Sequence, residues 1–120
     1  MLNGIFAFSI LNNKTSELFI ARDQFGIKPL YYYSDENLFW FSSEIKSILP
    51  LPFNKDVAVE SLENYLTFLY SPAEKTPFKH VLKLLPGHFI KLEIDNPQNF
   101  KIYNYYDIPF DGKVSNKTEE

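Results

Sequence analysis

The run Ala21-Arg22-Asp23-Gln24-Phe25-Gly26-Ile27-Lys28-Pro29-Leu30-Tyr31-Tyr32 constrains this chain more than any other stretch. Apolar residues precede it (Leu18, Phe19, Ile20) and close it (Leu30 to Tyr33), with polar and turn-forming residues between. That pattern predicts a hairpin of strand, loop of about six residues and strand. Gly26 is the only glycine in the run and the residue free to take a positive φ without a Cβ penalty. Pro29 fixes its own φ and biases Lys28 towards extended geometry, which launches the next strand. Arg22 is the only arginine in the chain. Standing at a strand end beside Asp23, with Lys28 across the loop, it predicts a fixed charged cluster.

The same logic organises the flanks. Ile5 to Leu11 is apolar apart from Ser9, as in a strand covered on both faces. Turn clusters at Asn12–Thr15 and Ser34–Asn37 separate it from strands at Glu17–Arg22, Leu30–Tyr33 and Leu38–Ser42. Short connections make these four an expected antiparallel meander. Ser43 to Leu49 reads as one or two helical turns, with Ser43 as N-cap and Glu44 as first-turn acid. A longer helix is expected over about residues 57–70, capped by Asp56 and stopped by Pro72. Val59, Leu62, Leu66 and Leu69 form its apolar stripe, widened by Tyr65. Residues 71–82 read as an ordered loop. Pro86-Gly87 is a turn of type II preference. His88 to Ile94 alternates as a half-exposed strand, and Lys101 to Tyr106 is expected to pair back after a turn at Asp95–Asn99. The fold class is therefore α+β, an antiparallel meander with flanking helices.

Composition bounds the function. The 120 residues suffice for one core of ordinary size. Twelve Phe and eight Tyr favour β-structure. A net charge of −3 supplies no basic field for nucleic acid. No apolar run approaches the roughly 20 residues of a membrane span, and no basic-then-apolar leader opens the chain. Zero cysteines exclude disulfides and thiolate metal sites and fit a cytoplasmic protein.

The candidate chemical groups each have a plain structural reading. Arg22, Asp23 and Glu44 form either a ligand-facing cluster or a set of ion pairs and turn caps; the second is favoured, because structural ion pairs also gather charges. Lys28 reads as solvated or paired with Asp23, since no phosphate loop of Gly-x4-Gly-Lys form surrounds it. His80 and His88 match no metal spacing, and His88 reads as a hydrogen-bonded structural histidine. Tyr31 to Tyr33, Phe39 to Phe41, Tyr103, Tyr105 and Tyr106 lack the interleaved basic residues of a base-stacking platform and read as core.

Three motifs in order carry a family resemblance: Asn3-Gly4-Ile5-Phe6-Ala7-Phe8; the Ala21–Tyr32 run with Arg22, Asp23, Gly26, Lys28 and Pro29; and Ser43-Glu44-Ile45-Lys46. With the later Lys83-Leu84-x-Pro86-Gly87-His88 and Tyr105-Tyr106-Asp107, this resembles the glutaminase domain of glutamine-dependent asparagine synthetases and the connector towards their synthetase domain. The family usually has Trp where Tyr106 stands.

The resemblance implies an αββα sandwich of N-terminal-nucleophile type. Residues 1–50 would be its second half, 51–110 the helix, Pro-Gly-His strand and connector, and 111–120 a polar tail beginning the synthetase domain. It implies a two-site parent enzyme: glutamine releases ammonia, and ATP with magnesium activates aspartate. It also implies absences. The nucleophile of such glutaminases is an N-terminal cysteine, and this chain opens Met1-Leu2 and contains no cysteine. The Asn-Gly-Glu, Gly-Ser-Asp and Ser-Gly-Gly-x-Asp-Ser segments are missing too. The resemblance therefore assigns no catalytic, cofactor or metal residue here. Gly4, Arg22, Asp23, Gly26, Lys28, Pro29, Ser43, Glu44, Pro86 and Gly87 are its structural motif. Three functions remain open. The chain is an inactive fragment of an asparagine synthase, a non-catalytic module that completes a partner chain or self-associates, or part of a related amidotransferase with a different acceptor.

Overall fold

A computed structural model describes residues 2–109. The polar tail 111–120 lies outside the described residues. Among the described residues, seven strands form two antiparallel sheets. The larger has the order β1 (Ala7–Asn12), β2 (Glu17–Arg22), β6 (His88–Glu93), β7 (Asn96–Asn104). The smaller has the order β4 (Phe39–Ser42), β3 (Tyr31–Ser34), β5 (Val81–Lys83). The helical elements among the described residues are a single turn at Ile45–Ser47 and one α-helix, α1 (Val59–Phe68).

The expected meander is split. β1 pairs with β2 and β3 with β4, but β2 and β3 do not pair with each other. The free edge of β2 is taken by β6, more than sixty residues on, in a register that places Ile20 opposite Ile90 and Leu18 opposite Leu92. Those four side chains share one face, so the long-range pairing buries an apolar set that a local hairpin would leave without a partner. The segment between Arg22 and Tyr31 is thus a crossing from one sheet to the other.

Ile20, Leu30, Tyr32, Leu84, Ile90 and Leu92 make the core between the sheets, with Phe39 and Phe100 packed against it. Tyr32, Phe39 and Phe100 stack and abut across the gap, ring centroids 5.0–5.9 Å apart. A second cluster of Tyr33, Ile48 and Val81 lies under the Ile45–Ser47 turn.

Other expectations shift. β5 occupies the end of a segment read as loop; three residues are too few to show alternation. The β6–β7 turn falls at Ile94-Asp95 rather than Asp95–Asn99, and Pro97 lies inside β7, an edge strand where a missing N–H is tolerated. β1 is also an edge, with Ile10 and Leu11 exposed, so it is not covered on both faces. Asp56 does not cap α1. The N-cap is Ala58, without a side-chain hydrogen bond, and Asp56 instead contributes its carbonyl to Lys79 N–H at 3.0 Å. Nor does Ser43 cap the short turn: its N-cap is Glu44, whose N–H donates to Ser42 Oγ at 3.2 Å.

Candidate functional site

Where the chain crosses between the sheets, Arg22 and Asp23 divide the labour. Arg22, the last residue of β2, turns its guanidinium into the seam. Its Nε donates to Lys28 O at 2.7 Å, its Nη2 to Gly26 O at 2.6 Å and its Nη1 to Leu84 O. Asp23 does the converse. Its carboxylate accepts the N–H groups of Phe25 and Ile27 at 3.0 and 3.1 Å on Oδ1, and that of Lys28 at 3.1 Å on Oδ2. One side chain gathers carbonyls and the next gathers amides, so the crossing is wound from its own backbone.

The Pro86-Gly87 turn closes the seam from the other side. Gly87 N–H donates to Asp23 O at 2.9 Å, and Gly87 O accepts Tyr105 N–H at 2.8 Å. The Tyr105 hydroxyl donates to Arg22 O at 2.6 Å. Two glycines are required here. Gly26 has φ 64°, and a Cβ on it would stand 2.7 Å from Pro86 Cγ and 3.0 Å from the Arg22 guanidinium carbon. Gly87 has φ 67°, and a Cβ would run into the Tyr106 carbonyl.

The electrostatics follow. Burial pushes the Arg22 pKa down from its ordinary value, against the opposing attraction of Asp23. Burial works to raise the Asp23 carboxyl, but the N–H groups of Lys28, Ile27, Phe25 and Gly26 outweigh it and hold it below the usual carboxylate range. Both are 6% exposed or less, and the hydrogen bonds their side chains make go to backbone.

Six of the ten motif residues therefore meet at the seam: Arg22, Asp23, Gly26, Lys28, Pro86 and Gly87. Lys28 joins through its backbone. Its exposed side chain makes no ion pair among the described residues, so the expected partnership with Asp23 runs through an N–H. Pro29 sits exposed on the crossing. Glu44 is not part of the Arg22 cluster; it pairs with Lys46 at 2.6 Å in the open. Ser43 is exposed, and Gly4 (φ 144°) has open space around it. His88 is hydrogen-bonded, Nδ1 to Pro86 O at 2.7 Å. Among the described residues, no group of three His, Cys, Asp or Glu could hold a metal ion, and no helix is long and apolar enough to cross a membrane.

Sequence reading missed two features. Tyr105 was assigned to core, yet its hydroxyl is a clamp on the seam; no local pattern pairs residues 83 apart. The outer face of the larger sheet carries a chain of rings, Phe6, Phe8, Phe19, Phe89 and Tyr103, with successive centroids 5.3, 6.1, 4.8 and 4.9 Å apart. Four of them, Phe6, Phe8, Phe19 and Phe89, line a mostly apolar cavity of about 260 Å3. The alternation in β2 and β6 was the available signal, since it places Phe19 and Phe89 opposite the core face.

The motif at the seam and the residues around it match a model of the glutamine amidotransferase domain family over residues 1–108. The chain belongs to that family. Asparagine synthetase [glutamine-hydrolyzing] 1 of Bacillus subtilis (strain 168) is 38% identical over 102 residues, 85% of this chain and 16% of the relative. Asparagine synthetase [glutamine-hydrolyzing] 3 of the same organism is 32% identical over 127 aligned positions, 96% of this chain and 20% of the relative. Amidase chyE of Penicillium rubens (strain ATCC 28089 / DSM 1075 / NRRL 1951 / Wisconsin 54-1255) is 32% identical over 114 residues, covering 95% and 16%. The chain thus spans a sixth to a fifth of the length of these relatives. Two antiparallel sheets with few helices are compatible with a glutaminase domain.

Proposed function

We propose that this chain is the scaffold segment of a glutamine-hydrolysing asparagine synthetase type of amidotransferase, and that alone it transfers no amide nitrogen. One observation carries the reading. The side chains of Arg22 and Asp23 are engaged with the backbone of the crossing, so they shape a wall rather than contact a substrate. The chain contains no cysteine, the nucleophile that a glutaminase of this kind needs. ATP and magnesium belong to the parent enzyme: the space a phosphate cradle would need at Gly26 is filled by Pro86 and the Arg22 guanidinium. We place the two sheets as the inner layers of an αββα sandwich, with the aromatic outer face as the bed of a helical layer. The division into 1–50, 51–110 and 111–120 and a cytoplasmic location belong to the same reading.

The partner would be the rest of an amidotransferase, or a second copy, and neither nucleic acid nor membrane. β1 supports this. Its edge sequence Ala-Phe-Ser-Ile-Leu-Asn carries no charge and no proline, the usual guards of an exposed edge. The alternative acceptor keeps a foothold in the amidase relative, whose name differs from the synthetases.

The test is ammonia release from glutamine by the purified chain, alone and with ATP, magnesium and aspartate. A blank is expected in both. Turnover above a no-protein control would refute the inactive-scaffold reading.

A further inference from the structure

The N-terminal end of α1 opens onto a cleft of about 560 Å3, closed on its far side by the segment from Glu74 to Lys79. The helix end is uncapped. Ala58 has no side chain to offer, and the N–H groups of Ser61 and Leu62 both return to its carbonyl, at 3.0 and 3.1 Å. The amides of Val59 and Glu60 are left as first-turn donors without a capping side chain.

Ser61 supplies the independent observation. It lines the cleft, is 1% exposed, and its Oγ is the one buried side-chain polar atom without a hydrogen-bond partner among the described residues. Elsewhere the fold satisfies such groups, as it does the hydroxyl of Thr76 in the same cleft, which donates to Val81 O at 2.7 Å. A buried hydroxyl left unpaired in an otherwise satisfied structure calls for a missing partner.

The lining says which partner. The rim mixes signs: Glu60 and Glu74 with Lys75 and Lys79. The pairs Lys75–Glu60 (2.7 Å) and Lys79–Asp56 (4.0 Å) are exposed and exchange readily for others. A polyanion would meet the two glutamates. A bare cation would meet the lysines and the positive end of the helix. A molecule carrying one carboxylate and one ammonium on the same carbon suits both. The walls at Val57, Val59, Phe78 and Leu82 are apolar.

We propose that this cleft binds a free α-amino acid with a small apolar side chain. Its carboxylate takes the amides of Val59 and Glu60 and the Ser61 hydroxyl, its ammonium faces Glu74, and its side chain lies on Val57, Phe78 and Leu82. The site is separate from the seam and stands whether or not the chain is a scaffold for amide transfer.

The experiment is a titration of the full chain, 15N-labelled, with L-valine, followed by the backbone amide shifts of Val59, Glu60 and Ser61. Isobutyrate, isobutylamine and inorganic phosphate are titrated in parallel. Saturable shifts with L-valine are expected, at least about tenfold tighter than with any of the three others. No saturation, or equal affinity for isobutyrate or phosphate, overturns the proposal. Ser61→Ala should weaken L-valine binding by about fivefold or more. Unchanged binding in that variant would make the hydroxyl a packing defect and sink the idea. Should Ser61→Ala fail to fold, Glu74→Gln, on an exposed segment, carries the same expectation of weakened binding and the same refutation.

Discussion

The seam and helix α1 are built from similar material and end in opposite states. At the seam, residues from three distant stretches, 22–28, 84–87 and 105, satisfy one another's backbone groups with almost nothing left over. Along α1, the apolar stripe is left largely uncovered by the described chain: Leu66 and the C-cap Leu69 are each 78% exposed and Val59 64%, while Ser61 is the buried residue of the helix. Both regions have a clear motif. The difference is that strands can borrow partners from anywhere in the chain, whereas a ten-residue amphipathic helix must be given one. Rigidity here follows partner supply rather than motif strength.

The largest effect should come from breaking the seam at its hub. Arg22→Ala removes three charge-assisted hydrogen bonds and strands the carbonyls of Gly26, Lys28 and Leu84. A loss of about 3–5 kcal/mol is expected, a large share of the 5–15 kcal/mol that a domain has to lose. Urea unfolding followed by circular dichroism measures it. Arg22→Lys keeps the charge but cannot fork to three acceptors, and should recover less than half of the loss. Full recovery by lysine would show that charge, not geometry, holds the crossing.

Next comes Gly87→Ala. The positive φ alone costs about 1–3 kcal/mol, and here the new methyl also meets the backbone carbonyl of Tyr106. Gly26→Ala should cost less, because its neighbours are the ends of the Pro86 and Arg22 side chains, which can give a little. The order of the two denaturation midpoints is the check. Reversed, it would mean that the Pro86-Gly87 turn is the softer half of the seam.

Acid should act on the same residues. The folded Asp23 carboxyl is held below its ordinary value of about 4, so its contribution is complete above that value and is lost as pH falls through the lower folded one. Stability measured from pH 6 to pH 2 should therefore decline at the acid end. Asp23→Asn should flatten part of that decline while lowering stability at neutral pH by about 1–2 kcal/mol. An unchanged acid limb in Asp23→Asn would assign the decline to other carboxylates.

These particulars show what the sequence could and could not reveal. The strand at Glu17–Arg22 and the strand start at His88 stand where alternation and turn residues put them, and Arg22, Asp23, Gly26 and Gly87 were legible as fixed points because each is a residue type with few uses. What they bond to was not legible. Arg22 reaches Leu84 and Tyr105 reaches Arg22 across 62 and 83 residues, and a local pattern holds no record of such distances. The meander was misjudged for the same reason: turn signals between β2 and β3 describe a reversal of the chain but not which edge the returning strand finds. The stripe on α1 was visible, but periodicity reports only that a face is apolar and is silent on what lies against it.

The smallest effect is the one that tests the other side of the comparison. Leu66→Gln replaces the most exposed side chain within the α1 stripe with a residue of similar helix propensity and length. If the stripe contributes nothing within the chain, the unfolding midpoint should move by no more than about 0.5 kcal/mol in equivalent stability, the range for a surface site. Self-association is a separate readout. An exposed row of Leu62, Leu66 and Leu69 beside Phe68 and Tyr70 is an apolar patch of the kind that drives association, and the glutamine interrupts it at its centre. Light scattering should then show a smaller mean mass for Leu66→Gln than for the parent chain at equal concentration, with no loss of fold. A destabilisation of about 2 kcal/mol or more would instead give Leu66 a buried partner, and the contrast between a self-sufficient seam and an unpartnered helix would fail at the residue on which it is most exposed.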